Sequence, residues 1–187
     1  GVAYVEVDVL AAPNALVTVR KSGADGALAP IDGLTARVDE GGRPGEIVQA
    51  SEWWAEAAGG GGVASVRLAQ LAGKCTLFTA LGQDELGDAS FGQLSGLGVR
   101  VEAARHEEPQ RRGFTFVDRR GERTITILGE KHVPRGADPL PWEELAACDA
   151  AYFTGHDAAT LMAARRARTL VVTSRRLAQL VESGVRA

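Results

Sequence analysis

The sequence predicts an α/β fold built on a mostly parallel sheet. Three observations carry this. From residue 59 onward helical and strand patterns alternate, the pattern that gives parallel strands joined by crossover helices. Segments such as 76–81 and 150–154 are continuous apolar runs, of the kind buried on both faces of a sheet. One antiparallel hairpin, spanning 114–128 around Asp118-Arg119-Arg120-Gly121-Glu122, interrupts the alternation.

Taken in order, the alternating and β-branched stretch 2–10 (Val5, Val7, Val9) predicts a strand. Residues 15–20 predict a second, closed by the turn-like Ser22-Gly23-Ala24-Asp25-Gly26. Short strands are expected at 34–38 and 46–50, flanking the turn Gly41-Gly42-Arg43-Pro44-Gly45. The polar segment 51–58, carrying Trp53 and Trp54, leads to Gly59-Gly60-Gly61-Gly62. A helix is then expected over 63–72, with Val63, Val66, Leu68 and Leu71 as its apolar positions. Residues 89–97 predict a short helix closed by Gly96 and Gly98, and a strand begins at 99–101. Beyond the hairpin, helices are expected at 142–147, 158–168 and 177–181, and strands at 150–154 and 169–173.

Charge and composition exclude several functions. The 187 residues carry 21 Lys+Arg and 24 Asp+Glu, a formal net charge of -3, so no strongly basic surface for nucleic acid is expected. A hydrophobic fraction of 45% suits a packed core rather than a disordered chain. No window approaches 18 consecutive apolar residues and the first ten residues carry no basic leader, so neither a membrane association nor export is expected, and the protein is placed in the cytoplasm. Cys75 and Cys148 sit in apolar surroundings and are expected to be reduced thiols. His106, His132 and His156 lie far apart in sequence with no ligand-like spacing, so no zinc site is expected. The length fits one domain or part of a larger one, and the single methionine is Met162.

The glycine run has a cost in chain entropy and therefore needs a reason. Bare backbone amides at a helix start let a polar ligand approach the positive end of the helix dipole. Gly59-Gly60-Gly61-Gly62-Val63-Ala64 also satisfies G-x-G-x-x-A, with Asp84 about twenty residues on, which keeps open an NAD(P)-binding oxidoreductase. That fingerprint requires a strand running directly into the first glycine, and the segment before it is long and polar.

A larger set of motifs resembles the ribokinase-like (PfkB) family of carbohydrate kinases. The glycine run with its helix, the strand 76–81 and the G-x-D-x-x-G element Gly82, Asp84 and Gly87 are similar to the family's first signature. Leu94-Ser95-Gly96-Leu97-Gly98-Val99, the hairpin at 114–128 and the strand after Asp149 resemble its later elements in the same order. The resemblance runs from about residue 45 to the end. It implies a three-layer ribokinase-like fold with a mostly parallel central sheet and a small β-sheet lid. Residues 1–187 would then be an incomplete domain, with lid strands within 15–50 and 111–128. It further implies phosphorylation of a sugar or sugar-like hydroxyl with ATP and Mg2+, and a homodimer through the lid strands.

Two departures qualify the match. Val63 stands where family members carry a sugar-binding asparagine, and valine offers no hydrogen bond. The family's catalytic G-A-G-D element does not occur in these 187 residues, so no catalytic residue is assigned. Both departures suit the first alternative, an inactive ligand-binding relative of the same fold, ahead of the NAD(P)-binding oxidoreductase. The candidate substrate contacts are Asp8 near the end of the first strand, Gly59, Gly60, Gly61 and Gly62, Arg112 beside Arg111 at the hairpin's start, and Asp157 after a strand end. Asp157 equally suits an N-cap for the following helix.

Overall fold

A computed structural model of the chain describes residues 2–5, 33–37, 53–57, 59–117, 123–155 and 157–173. Strand β1 (Val2–Val5) is followed by β2 (Gly33–Arg37) and β3 (Trp53–Glu56). Helix α1 (Gly59–Ala72), strand β4 (Cys75–Gly82), helix α2 (Glu85–Gly96) and strand β5 (Val99–His106) then alternate. The hairpin β6 (Arg112–Val117) and β7 (Arg123–Leu128) comes next, then a 3₁₀ helix (Trp142–Ala147), β8 (Ala150–Phe153), α3 (Ala158–Ala164) and β9 (Thr169–Val172). The strands expected at 15–20 and 46–50, the helix at 177–181, Asp8 and the turn at 118–122 lie outside the described residues.

The strands form two sheets. The central sheet has the order β5-β4-β1-β8-β9, and all of its pairings are parallel. In the small sheet, of order β3-β2-β6-β7, β2 runs antiparallel to β3 and parallel to β6, and the β6–β7 hairpin is antiparallel. Strands β2, β6 and β7 fall within 15–50 and 111–128, whereas β3 lies just beyond the first of these ranges.

Alternation along the central strands explains the layers. Cys75, Leu77 and Leu81 of β4 face one side and pack with Ala69 of α1 and Leu94 of α2. Phe78, between them, faces the other side and packs with Trp142, Leu145, Leu161 and Ala164 of the 3₁₀ helix and α3. Strand β8 divides in the same way, with Ala151 and Phe153 in the second cluster and Tyr152 in the first. The result is a sheet covered by helices on both faces. Phe78 and Trp142 stack with ring centroids 5.3 Å apart, and the Trp142 indole donates to the Asp138 carbonyl at 3.1 Å. On the same side Arg100 of the edge strand β5 reaches Glu144 of the 3₁₀ helix at 2.7 Å, and this arginine holds the Glu144 carboxyl below the usual carboxylate range.

Three local expectations need correction. The four glycines do not precede the helix but form the first turn of α1, which therefore begins at Gly59. The buried face of α1 is Gly61, Gly62, Ser65 and Ala69 rather than a stripe of large residues; Val63 is 47% exposed and Leu71 85% exposed. Small residues at these helical spacings let the helix axis approach the sheet closely. Helix α2 begins at Glu85, four residues before the expected start, because Asp84 caps it. Strand β5 begins at Val99, as expected, and runs to His106, since its register with β4 pairs Cys75 with Val99 and Gly82 with His106.

Both cysteines are free thiols, Cys75 buried and Cys148 half-buried. Burial, with a smaller contribution from Cys148, pushes the Cys75 thiol up to about 11. Because the folded value lies above the ordinary one, the native state favours the neutral thiol. Its contribution to stability is therefore complete below about pH 9 and is lost as pH rises towards 11. At pH 8 a thiol reagent is expected to label Cys148 well before Cys75, with equal rates in denaturant. Equal rates in the folded protein would contradict this placement.

Candidate functional site

Each α-helix of the central unit starts at the carboxyl edge of the parallel sheet. Helices α1 and α2 run back to the starts of β4 and β5, and α3 follows the end of β8. The small sheet joins this same edge twice, because β3 leads into the first turn of α1 and the end of β5 leads through 107–111 into β6. Loop-borne ligand sites of open α/β sheets lie beyond such an edge.

The G-x-D-x-x-G element builds the first wall. Asp84 accepts from the Gly87 amide through Oδ1 at 2.8 Å, capping α2, and from the Gln110 amide through Oδ2 at 2.9 Å. The Gly82 amide in turn donates to the Gln110 side-chain oxygen at 2.7 Å. Gln110, only 1% exposed, is thus gripped from both ends of the Gly82–Asp84 turn. The two glycines are required by close approach. A Cβ on Gly82 would lie 2.4 Å from the Gln110 nitrogen, and one on Gly87 would lie 2.0 Å from the Gly82 carbonyl oxygen. Arg105 completes the joint by donating to that oxygen at 3.2 Å and pairing with Asp88 at 3.0 Å. The chemistry of this motif is therefore mechanical: it fixes where the small sheet leaves the central one.

The glycine turn makes the second wall. Gly59 has φ of +89°, a left-handed value that favours glycine, whereas nothing lies within 4 Å of a Cβ placed on Gly60. No acidic side chain occupies the first turn of α1, and the Ser65 hydroxyl donates to the Gly62 carbonyl at 2.9 Å. This leaves a positively polarised, side-chain-free helix start, in contrast to α2, whose start is filled by Asp84. The strand before the glycines, β3, belongs to the small sheet and pairs antiparallel with β2. The dinucleotide fingerprint instead calls for a strand of the parallel sheet entering the first glycine.

Asp157 is the N-cap of α3, its Oδ2 accepting from Thr160 N at 2.9 Å and from Gly136 N at 3.0 Å. Its carboxylate thus ties the segment 129–141 to the end of β8, which is the structural half of the role expected for it. The other end of that segment is held where His132 Nε2 meets the Pro109 carbonyl at 3.0 Å. Arg112 is exposed at the first position of β6, opposite Leu128 of β7, and Arg111 beside it is half-buried. The structure therefore brings the glycine turn, the G-x-D-x-x-G joint and Asp157 to one edge. Gln110 and Arg105 had no local sequence signal, because their partners lie 28 and 23 residues away.

A parallel α/β unit capped at its carboxyl edge by a small mixed sheet is the layout of the ribokinase fold. The sequence matches the pfkB family of carbohydrate kinases over residues 30–180, and the chain belongs to that family. Among solved structures it is similar to Arabidopsis thaliana ribokinase complexed with ribose and ATP, at 16% identity and a TM-score of 0.62 over 91% of this chain and 52% of that one. Ribokinase from Thermotoga maritima is similar at 18% identity and TM-score 0.56, over 97% and 62% of the two chains. Phosphofructokinase-2 from Escherichia coli in complex with fructose-6-phosphate is similar at 12% identity and TM-score 0.55, over 91% and 54%. The chain thus spans 52% to 62% of the length of these proteins. A comparison with curated protein sequences finds no match. Among the described residues, no helix is long and apolar enough to cross a membrane.

Proposed function

We propose that the intact protein transfers the γ-phosphate of ATP to a hydroxyl of a sugar or sugar-like acceptor, and that this chain supplies the acceptor side. The observation that carries the reading is the bare first turn of α1 at the sheet's carboxyl edge, directly after a strand of the small sheet, in a chain of the pfkB family. The amides of Gly59–Gly62 suit the oxygens of a polyhydroxylated ligand. Arg112 and Asp8 are the side chains proposed to complete the contacts, and the small sheet is proposed to act as the lid. A dry, closed site suits phosphoryl transfer, which depends on positioning and charge neutralisation.

ATP supplies the phosphoryl group when bound. The sequence holds no G-A-G-D element, so the base and the nucleotide site are assigned to the remainder of the intact protein. Mg2+ belongs to the same proposal. Among the described residues the one cluster of potential metal ligands is His106, Glu108 and His132, which is nitrogen-rich and does not suit an ion that prefers six oxygens. A homodimer is proposed through the small sheet, whose edge strand β7 exposes Ile125, Ile127 and Leu128, and the cytoplasm is the proposed compartment.

The test is ATP consumption by the full-length protein across a panel of sugars and nucleosides. Acceptor-dependent ADP release is expected. Silence with every acceptor would favour the inactive ligand-binding relative, a reading that the exposed Val63 supports. Titration with NADH is expected to give no energy transfer from the tryptophans. One substitution separates stability from function at the glycine turn. Gly60→Ala has open space around it and is expected to raise stability by about 0.5–1 kcal/mol while raising the acceptor KM severalfold. An unchanged KM would remove this turn from the acceptor site.

A further inference from the structure

We infer that His106, Glu108 and His132 form a binding site for a divalent transition-metal ion, with Zn2+ as the probe, at the point where the chain enters and leaves the small sheet. The three residues are scattered in the sequence, where no metal site is expected. Folding gathers them. His106 ends β5, Glu108 lies in the connection to β6, and His132 follows β7, yet their ligand atoms all lie within 4.8 Å of one another.

The arrangement has the features that separate a metal site from a chance cluster. The imidazoles of His106 and His132 meet edge to face with centroids 5.3 Å apart. His132 is 7% exposed, and its Nε2 meets the Pro109 carbonyl at 3.0 Å. A carbonyl only accepts, so Nε2 carries the proton and Nδ1 carries the lone pair. A backbone carbonyl fixing the far nitrogen is the usual support of a metal-bound histidine. The backbone around the site is also held, since Gln83 N donates to the His106 carbonyl at 2.7 Å and Gln110 is clamped by Gly82 and Asp84.

Ligands about 2.0–2.1 Å from a tetrahedral zinc lie roughly 3.4 Å from one another. The spacing, at most 4.8 Å, must therefore contract by up to about 1.4 Å, which rotation of the exposed Glu108 side chain and the half-buried His106 ring can supply. Two imidazoles and one carboxylate select Zn2+, Co2+ or Ni2+ over Mg2+ and leave a fourth position for water. Bound there, the ion ties the 107–111 connection to the segment after β7. It would limit the freedom of the small sheet relative to the central one.

The full-length protein, stripped with a chelator and then held in excess Mg2+, is titrated with ZnCl2 by calorimetry, and with Co2+ by absorption. One equivalent of Zn2+ is expected, with Co2+ giving d–d bands and no thiolate charge-transfer band. Glu108→Gln and His106→Gln are each expected to weaken binding about tenfold or more. Glu108 is exposed, so this variant tests the site even if a change at the buried His132 impairs folding. Absence of Zn2+ binding, affinity unaffected by Glu108→Gln and His106→Gln, or a thiolate band with Co2+ would each overturn the assignment. Because the readout is metal binding alone, failure here leaves the kinase reading intact.

Discussion

Gly87→Ala is expected to lower stability by about 3 kcal/mol or more, the upper range for forcing atoms into a packed position. The new Cβ would lie 2.0 Å from the Gly82 carbonyl oxygen, a backbone atom, and 3.2 Å from the Arg105 guanidinium. The oxygen has no room to retreat, because the Gly82 amide is tied to Gln110 at 2.7 Å and the oxygen itself accepts from Arg105 at 3.2 Å. In urea the unfolding midpoint is expected to fall by about 1 M or more, given the usual denaturant slopes. Gly92→Ala is the control: it lies in the same helix with nothing within 4 Å of its Cβ, and helix propensity alone is expected to leave it as stable or slightly more so. If the two variants unfolded alike, the close packing of the motif would be disproved.

Asp84→Ala carries the second large effect. It removes a helix cap, worth about 1 kcal/mol, and leaves the amide of the buried Gln110 without its acceptor, at a further cost of about 1–3 kcal/mol. A total of about 2–4 kcal/mol is expected. Asp84→Asn retains a single acceptor oxygen, so it can satisfy Gly87 or Gln110 but not both, and about half of the loss is expected. Chemical denaturation of the pair checks this, and equal loss in both variants would show that charge rather than the two acceptors matters. Because the same carboxylate holds the connection to β6, a folded Asp84→Asn variant is also expected to bind the proposed acceptor more weakly.

The alternating architecture could be read from the sequence because buried parallel strands leave continuous apolar runs, as in β4 and β8. The hairpin was equally legible, since β6 and β7 flank turn residues. The motif Gly82, Asp84 and Gly87 stood out by resemblance, but its physical work did not. Asp84 and Gln110 meet across 26 residues, and no local pattern announces such a contact. Helix α1 begins earlier than its sequence suggests, because a glycine run reads as a loop, whereas here its amides open the helix and small residues form its buried face. His106, Glu108 and His132 were invisible for the same reason as Gln110: only the return of the chain after β7 brings them together. Within the glycine turn Gly60 alone is exposed, Gly59, Gly61 and Gly62 being buried, while the Asp157 carboxylate is engaged with two backbone amides.

The acceptor is proposed to lie between the first turn of α1 and the small sheet. Hydrogen exchange of the full-length protein, with and without the acceptor that gives ADP release in the sugar panel, tests this most directly. Slower exchange on sugar binding is predicted in residues 59–66 and in the strands β6 and β7, with little change in β9. Protection confined to other parts of the chain, with the amides of Gly59–Gly62 exchanging as before, would contradict it.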